Sequence, residues 1–325
     1  MTTQNKIVLV LTNSSDDHTH IIVPVIKRQG GVVYRIDVDR LPQFFDVSIS
    51  NIGRDTSVKF TTPVGEISLD QICSIWVRRP YILDFNQVTP QEKLTRQEIN
   101  MFMSSIPEIT EPKILVVDKP SLINRASKKI LQLKVAKTLG FKIPETFVTN
   151  SEKGARQFIK KYKNEVIIKV IDKGISMAGR KSLFIYTTNY SDQLNLKLIK
   201  NCPTLFQELI VKKSDIRVTV IGKKLFSVEF NTSKLAGVGV DWRKAGENIK
   251  KVPHQVIQLP TGLEKKILAL LEYYGLNFGA IDMARTQDDE YVFFELNPAG
   301  QFLWLQEVTG LPLAKEMAKF LLGIS

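Results

Sequence analysis

The segment GAIDMARTQDDEYVFFELNPAG, residues 279–300, contains two β-prone runs joined by a short polar stretch, and it decides how the second half of the chain folds. A two-residue turn at 288–289 would make it a hairpin in which Asp282 lies directly opposite Glu295. Because side chains alternate along a strand, Asn297 then lies on the same face as Glu295. The sequence therefore predicts a β-hairpin with two carboxylates and an amide on one face.

These three polar side chains favour a magnesium site. Asp282 and Glu295 interrupt otherwise apolar runs, and two like charges opposite each other destabilise a sheet unless a cation lies between them. Carboxylate and amide oxygens are ligands that Mg²⁺ prefers, usually together with the phosphates of a substrate. The alternative is a hairpin face that is simply solvated. We expect Asp282, Glu295 and Asn297 to bind magnesium.

A glycine-containing segment, IIKVIDKGISMAGRKSLFIY at residues 167–186, raises the question of a phosphate loop. Gly174 and Gly179 have the spacing of a Walker loop, but Arg180 takes the lysine position, and a strand follows where that motif requires a helix. The pattern is typical of a strand, a glycine loop and a second strand. Lys169 lies in the first strand, where the alternative to a binding role is an edge lysine that reaches solvent.

A helix is expected over residues 127–139, capped by Ser127 and ended by Gly140. Lys129 lies near its start, where a solvent-exposed role is the default, but with Lys169 and the glycine loop it could form a basic pair over phosphates. The helical period places six apolar residues on the inward side: Ile130, Leu133 and Ala136 on one face, with Leu131, Val135 and Leu139 beside it.

The composition is that of a globular protein, with 325 residues, 43% hydrophobic and 24% charged. We find no run of about eighteen apolar residues and no signal-peptide pattern, and therefore expect a cytoplasmic protein that does not contact membranes. Cys73 and Cys202 are too few for a disulfide framework or a zinc cluster. Three histidines leave little room for a histidine-based triad or metal site, so catalysis should depend on Lys, Arg and carboxylates.

The net charge of +12 results from 45 Lys and Arg against 33 Asp and Glu. Such an excess suits nucleic acid, an acidic surface or an acidic substrate. The basic residues are spread along the chain and accompany no nucleic-acid-binding module, so we expect no nucleic acid partner. An acidic small molecule or peptide fits the charge at least as well.

The order of predicted elements divides the chain into three parts. An α/β domain starts with the apolar strand at residues 6–12 and ends at Pro120. Many strands with short turns follow, with helices packed to one side, which indicates an α+β fold. We expect an N-terminal α/β domain over 1–120, a lobe with the glycine loop over 121–204, and a lobe with the metal site over 205–325.

In their order along the chain, these residues resemble the ATP-grasp fold, in which two lobes with antiparallel sheets enclose the nucleotide. The resemblance is carried by a helix lysine, a strand lysine, a glycine loop, a hinge strand and two acidic motifs: Lys129, Lys169, Gly174 to Gly179, FQELI at 206–210, D-x-R at Asp215 and Arg217, and D…E-x-N at Asp282, Glu295 and Asn297. The glycine loop then resembles the cover over the ATP phosphates.

Within that superfamily the whole chain resembles the peptide ligases that cyclise graspetides, the microviridin-type ribosomal peptides. The likeness lies in FQELI and in four further segments: WVRRP at 76–80, DWRK at 241–244, YGLNFGAIDM at 274–283 and ELNPAGQFLWL at 295–305. Val77 replaces a tyrosine of the family pattern. Leu209 replaces an asparagine, which alters no backbone donor, so hinge recognition should persist.

The resemblance implies a reaction that uses ATP and Mg²⁺. An Asp or Glu side chain of a precursor peptide is activated as an acyl phosphate, and a Thr or Ser hydroxyl of the same peptide attacks it to form an ω-ester. Some members use Lys and form ω-amides. The peptide has a leader segment that docks away from the chemistry, and a homodimer is possible. Alternatives are a ligase that adds amino acids to a protein or small-molecule acid, and a peptide-binding protein that only carries the fold.

The resemblance also assigns roles to residues by position. Lys129 and Lys169 would neutralise phosphates. The remaining nucleotide-binding residues would be those of the lid, the hinge and the D-x-R motif: Gly174, Ser176, Met177, Ala178, Gly179, Gln207, Glu208, Leu209, Ile210 and Asp215.

Arg217 and Arg243 are the candidate catalytic residues. They would stabilise the acyl phosphate and its tetrahedral successor, because guanidinium groups neutralise phosphate charge in a fixed geometry. The alternatives are an outward-facing strand residue for Arg217 and a turn-capping ion pair with Asp241 for Arg243.

Overall fold

The computed structural model describes most of the chain: residues 6–41, 43–53, 55–79, 89–172, 175–178, 181–232, 235, 238 and 240–324. For residues 175–178 and 181–184 it describes the backbone only. Within these ranges no helix combines the length and the apolar character needed to cross a bilayer.

The N-terminal domain is α/β, as predicted. Its elements in chain order are β1 (Ile7–Thr12), α1 (Asp17–Arg28), β2 (Val32–Asp37), β3 (Asp46–Ser50), β4 (Ser57–Thr62), β5 (Gly65–Ser68), β6 (Ile72–Val77), α2 (Pro90–Glu108) and β7 (Leu115–Val117). Strands β2, β1, β6 and β7 form a parallel sheet in that order. β1 is buried almost throughout, which explains its continuous apolar run. The antiparallel sheet of β3, β4 and β5 was not predicted, because these strands are short and mostly polar.

The central part of the chain forms a smaller lobe. Its elements are α3 (Pro120–Ala126), α4 (Lys129–Thr138), β8 (Thr146–Thr149), α5 (Glu152–Lys161), β9 (Val166–Lys169), β10 (Ile175–Ala178), β11 (Lys181–Phe184), β12 (Thr188–Asn189) and β13 (Thr204–Glu208). Strands β12, β9, β13 and β8 form an antiparallel sheet in that order. β13 straddles position 204, where the sequence placed a lobe boundary, and it pairs with β8 and β9 of this lobe.

The predicted glycine loop contains a strand. Residues 175–178 form β10, which pairs antiparallel with β11, so Ser176, Met177 and Ala178 lie on a hairpin rather than in an irregular loop. Alternation of Ile and Met with small residues suits a strand, which the sequence interpretation overlooked because of the flanking glycines. Gly174 and Gly179 themselves lie outside the described residues.

Helix α4 buries Leu133, Val135 and Ala136 as predicted, but it differs from the prediction at its start and at Ile130 and Gln132. Lys128 is the N-cap residue and makes no side-chain cap bond, whereas the Ser127 hydroxyl donates to the Ile123 carbonyl at the end of α3. Ile130 is 51% exposed, while Gln132 is buried. A polar residue takes the inward position because its amide bonds to backbone groups, as described below.

The C-terminal lobe contains the remaining elements: β14 (Lys212–Ile221), β15 (Lys224–Phe230), β16 (His254–Ile257), α6 (Thr261–Tyr274), β17 (Phe278–Thr286), β18 (Tyr291–Asn297), α7 (Leu303–Thr309) and α8 (Leu313–Leu321). Its five strands form an antiparallel sheet in the order β16, β15, β14, β17 and β18. Apolar residues of α4 and α6 pack on one side of this sheet. Residues of α7 and α8 share a hydrophobic core with β1 and α1, which fixes the N-terminal domain against the C-terminal lobe.

Candidate active site

Strands β17 and β18 bring the predicted acidic residues together. Asp282 lies opposite Glu295, and Ala280 lies opposite Asn297, so the predicted pairing is confirmed. The Asn297 amide nitrogen donates to Asp282 Oδ2 at 3.0 Å and to Glu295 Oε1 at 3.3 Å. Two carboxylates and one amide therefore form one connected cluster at the end of the hairpin.

The turn of this hairpin differs from the prediction. Thr286 N donates to the Glu290 carbonyl, and Asp289 has a φ of 60°, so the turn spans residues 287–289 and the predicted two-residue turn is wrong. The pairing also slips by one residue between Asp282 and the tip, which leaves Phe294 of β18 unpaired as a bulge. The bulge offsets the longer turn, and for that reason the predicted partners still meet.

The two carboxylates differ in how readily they ionise. Burial raises the pKa of Asp282 to about 6, and the neighbouring Glu295 charge adds to this shift. Burial also disfavours ionised Glu295, but the charges of Lys129, Lys169 and Arg243 outweigh it and lower the pKa of that carboxyl. An additional cation beside Asp282 would favour ionisation of both groups.

The cluster has the donor chemistry for a magnesium ion. Carboxylate oxygens are available from Asp282 and Glu295, and a turn of the Asn297 amide would present its Oδ1 in place of its nitrogen. Among the described residues, no group of three or more His, Cys, Asp or Glu side chains could hold a metal. A magnesium ion here would therefore depend on the amide and on phosphate oxygens of a bound nucleotide.

Arg217 donates hydrogen bonds directly to this cluster. It lies on β14 opposite Asp282 of β17, and its Nη1 donates to both carboxylate oxygens at 2.7 Å. Its Nη2 donates to the Gln301 carbonyl at 3.0 Å, and its guanidinium carbon lies 5.9 Å from the centre of the Trp242 ring. Arg217 is 4% exposed, so the outward-facing alternative is wrong. Its Nε is buried without a hydrogen-bond partner among the described residues.

Arg243 makes the ion pair that the sequence offered as its alternative. Its Nε donates to Asp241 Oδ1 at 2.8 Å and its Nη2 to Asp241 Oδ2 at 2.6 Å, and this carboxylate raises the pKa of Arg243. Asp241 also accepts the backbone N–H groups of Thr187 and Arg243. Because the Arg243 side chain remains 40% exposed, the ion pair orients its guanidinium without burying it.

The two predicted lysines lie near Glu295. Lys129 Nζ lies 3.8 Å from Glu295 Oε2 and donates to the carbonyls of Val170 and Asp172. Lys169 lies at the end of β9, where it pairs with Leu205 of β13, while the short β12 pairs with Ile167 and Ile168 on the other side. Its Nζ lies 5.1 Å from the centre of the Phe294 ring, and burial lowers the pKa of Lys169 to about 8. The two lysines and the acidic cluster are thus contiguous.

Both halves of this architecture match known families. Residues 7–103 match the model of the MvdD pre-ATP grasp domain, and residues 126–321 match that of the RimK-like ATP-grasp domain.

The chain belongs to the RimK-like ATP-grasp family.

Several solved structures share the whole fold. A RiPP-associated ATP-grasp ligase from Chryseobacterium gregarium, solved with ADP and a leader and core peptide, has 31% identity and a TM-score of 0.87 over 98% of this chain and 96% of that chain. Macrocyclase MdnC from Microcystis aeruginosa MRC, bound with precursor peptide MdnA, has 26% identity and a TM-score of 0.83 over 98% and 99% of the two chains. Macrocyclase MdnB from the same organism has 26% identity and a TM-score of 0.79 over 97% and 99%.

None of the curated proteins is similar enough in sequence to count as a relative. The family match and the solved structures together make this protein an ATP-grasp ligase, an enzyme that uses ATP to activate a carboxylate. The resemblance to the microviridin-type ligases is confirmed at the level of family and fold.

The predicted hinge residues 207–210 already make hydrogen bonds within the protein. Glu208 N donates to the Glu145 carbonyl, and Leu209 N donates to the Glu165 carbonyl. A contact with adenine through either of these N–H groups would have to replace the existing bond. The buried Oε1 of Gln207 has no partner among the described residues, although its Nε2 donates to Thr146 Oγ1. The predicted role of Ile210 remains a prediction.

Asp215 of the ligase is buried and accepts hydrogen bonds from two side chains. Lys212 Nζ donates to its Oδ1 at 2.6 Å and the Thr232 hydroxyl to its Oδ2 at 3.3 Å, while burial raises the pKa of Asp215. Its side chain is 4% exposed. The predicted role of Asp215 in nucleotide binding stays a prediction.

One important residue of the ligase site was missed from the sequence. The buried amide of Gln132 donates to the Leu296 carbonyl at 2.7 Å and accepts Leu296 N–H at 2.9 Å. It also donates to the Ala126 carbonyl. Gln132 therefore fixes the backbone between Glu295 and Asn297. A glutamine flanked by apolar helix positions is the sequence signal that could have revealed it.

Proposed function

We propose that this ligase forms rings in a ribosomally made precursor peptide. A side-chain carboxylate of an Asp or Glu attacks the γ-phosphorus of ATP, which releases ADP and leaves an acyl phosphate. The hydroxyl oxygen of a Thr or Ser in the same peptide then attacks the acyl carbon. Phosphate departs, the hydroxyl proton is lost, and an ω-ester closes the ring.

The observation that carries this proposal is the likeness, over 98% of the chain, to a ligase solved with ADP, a leader and a core peptide. The positive net charge adds support, because an acidic core peptide is attracted to a basic protein. In this proposal the partner is a peptide with a leader and an acidic core rich in Thr, Glu and Asp.

We assign the nucleotide to the space beside Lys129, Lys169 and the acidic cluster. The two ammonium groups would compensate phosphate charge, and residues 207–210 would face the adenine and ribose. Asp282, Glu295 and Asn297 would hold magnesium, which supplies positive charge against the triphosphate when it is bound. Gly174 and Gly179, with β10 between them, would cover the phosphates.

Arg217 and Arg243 would act on the peptide side of the phosphates. Phosphoryl and acyl transfer develop negative charge on oxygens, and a guanidinium held in place stabilises that charge without reorganisation. Arg217 is fixed by Asp282 and the Gln301 carbonyl. Arg243 is oriented by Asp241 and remains accessible, so it is the better candidate to contact the acyl phosphate directly.

Mass spectrometry tests the reaction. The enzyme is incubated with ATP, Mg²⁺ and synthetic peptides encoded by short reading frames beside its gene, chosen for Thr and Glu or Asp content. Ring formation lowers the peptide mass by one water per ring, whereas addition of an amino acid raises it. Mild alkaline hydrolysis restores the mass of an ester but not of an amide. A mass gain, or ADP release without any peptide change across the set, contradicts ring formation.

Glu295→Gln is the variant that tests the site. It removes one negative charge from the cluster while keeping the side-chain size, and we expect peptide turnover to fall below detection with an unchanged melting temperature. Glu290→Gln, at the exposed tip of the same hairpin, is the matched control and should retain full turnover. Near-normal turnover by Glu295→Gln would remove the basis for the magnesium assignment.

A further inference from the structure

The segment that follows Asn297, residues 298–303, connects the acidic cluster to helix α7. Its Gln301 carbonyl accepts the Nη2 hydrogen bond of Arg217. A Cβ atom built on Gly300 would lie 2.8 Å from Arg217 Nη2 and 2.7 Å from the Ala280 side chain. The absence of a side chain at Gly300 therefore allows this segment to pack directly on Arg217, and any shift of the segment would displace the guanidinium.

His18, from the start of α1 in the N-terminal domain, binds this segment. Its Nε2 accepts the backbone N–H of Phe302 at 3.1 Å and approaches that of Leu303 at 3.5 Å. Its ring centre lies 4.9 Å from that of Phe302. The imidazole thus receives the N–H groups at the beginning of α7, immediately after Gln301.

The neutral imidazole of His18 accepts hydrogen bonds at its Nε2. Burial, together with the charges of Arg78 and Arg79, lowers the pKa of His18 to about 2, so the imidazole stays neutral at any working pH. Because Nε2 accepts hydrogen bonds, the ring proton lies on Nδ1, which is 3.7 Å from Asp16 Oδ1.

Arg78 follows directly after β6 and belongs to the WVRRP segment, to which the family resemblance assigned no role; it binds the same segment. Its Nη1 donates to the Ala299 carbonyl at 2.6 Å. Its Nε lies 3.6 Å from Asp16 Oδ2, and Asp16 also accepts the backbone N–H of His18. Asp16, His18 and Arg78 are all buried, so they form one polar unit at the boundary with the C-terminal lobe.

We propose that His18 and Arg78 are positioning residues of the ligase, which hold residues 298–303 so that the Gln301 carbonyl keeps Arg217 aligned with Asp282. If these hydrogen bonds served only to hold the two domains together, they could lie anywhere along the domain boundary. Here the bonds go to Ala299 and Phe302, on both sides of the carbonyl that Arg217 uses. The proposal rests on the role given to Arg217 above, but not on the identity of the substrate.

Three variants separate alignment from general stability. His18→Phe keeps an aromatic ring against Phe302 but cannot accept a hydrogen bond. His18→Gln places an amide oxygen near the position of Nε2 and restores the acceptor. His20→Phe is the control, because His20 lies on the same helix, is exposed and contacts Ser14 and Arg35 instead.

The assay is the slow hydrolysis of radiolabelled ATP by concentrated enzyme without peptide, together with the affinity for MgADP by calorimetry and the melting temperature. We expect His18→Phe to lower the hydrolysis rate constant by about tenfold or more, since small misalignments of catalytic groups have effects of that order. MgADP affinity should change less than about threefold, because Lys129 and Lys169 are untouched. His18→Gln should recover most of the rate, and His20→Phe should match the wild type.

A rate for His18→Phe equal to that of His20→Phe overturns the proposal. So does a loss that His18→Gln fails to recover, or one that comes with an equal loss of MgADP affinity. Arg217→Lys in the same assay provides the separation from the proposed function: a wild-type rate there disproves the role of Arg217 in phosphoryl transfer, whatever His18 does. Failure of every peptide to react, with the His18 pattern intact, disproves only the substrate assignment.

Discussion

The candidate site contains two arginine–aspartate pairs, Arg217 with Asp282 and Arg243 with Asp241. The two pairs differ in contact geometry and in burial. Arg217 uses one nitrogen to contact both oxygens of Asp282, and the exposed fractions of the two side chains are 5% and 11%. Arg243 uses two nitrogens to contact the two oxygens of Asp241, and its own exposed fraction is 40%. The first pair joins two adjacent strands of the sheet, whereas the second leaves its guanidinium accessible.

This difference indicates that the two arginines contribute differently to stability and to catalysis. A buried charge pair is costly to disturb, because either partner alone is left uncompensated. An exposed guanidinium that is already oriented loses little entropy when it binds a further oxyanion. We therefore expect Arg217 to affect both stability and catalysis, and Arg243 to affect catalysis almost exclusively.

The largest effect should come from Arg217→Met. Loss of the guanidinium leaves Asp282 buried without its main partner, and removal of one member of a buried pair typically lowers the free energy of unfolding by about 3–5 kcal/mol. Denaturant titration measures this loss, and peptide turnover should fall below detection. Mg²⁺ should restore more stability to this variant than to the wild type, since it replaces positive charge at Asp282. Equal stability of variant and wild type would end the distinction between the pairs.

Arg243→Ala should leave the protein stable and slow the reaction. Asp241 keeps the N–H groups of Thr187 and of residue 243, so we expect the free energy of unfolding to change by less than about 1 kcal/mol. The rate constant for peptide turnover should fall by about 10²–10³-fold, as for loss of an oxyanion donor. Arg156→Ala, which breaks an exposed helical ion pair with Glu152, is the control. A tenfold weaker binding of MgADP would instead assign Arg243 to the nucleotide.

Asp241→Asn should have a smaller effect than Arg243→Ala. The amide can still accept hydrogen bonds through its oxygen, but it no longer attracts both Nε and Nη2, so the guanidinium samples more orientations. We expect a loss of about tenfold in turnover, since orientation rather than charge is removed. Rate measurements on the single and double variants decide the point: if Asp241 acts through Arg243, the double variant should be no slower than Arg243→Ala.

The smallest expected effect is a proton uptake at Lys169 when nucleotide binds. Unlike the two arginines, Lys169 can lose its charge near neutral pH. With a pKa of about 8, it is partly deprotonated in the free enzyme at pH 8. Phosphate favours the ammonium form, so nucleotide binding at pH 8 should take up about half a proton, and affinity should decline above that pH. Calorimetry in buffers of different ionisation enthalpy measures the uptake. Lys169→Met should abolish it, and persistence of the uptake would assign it to another group.

Sequence patterns identified the elements that carry strong periodicity. The hairpin and its facing acids followed from alternation, and the paired register survived a wrong turn because the bulge at Phe294 compensated. The parallel strand β1 followed from its apolar run.

The missed features depend on contacts between distant segments. Gln132 binds the backbone of Leu296, and His18 binds that of Phe302, 284 residues away in the chain. Because the partner in each contact is a backbone group, the sequence does not show which residue Gln132 or His18 binds. Helix α4 shows the same limit, because one position of its buried face is taken by the Gln132 amide beside apolar residues.

The bulge at Phe294 lies between the tip of the hairpin and its acidic end. Residues 287–289 at the tip are exposed, and ion pairs there join surface side chains such as Lys213 and Asp289. The paired strand residues 283–285 and 291–293 lie between this exposed tip and the acidic end. This outer loop is therefore a natural insertion point for a fluorophore-bearing tag or an affinity handle, attached close to the reaction centre without disturbing it.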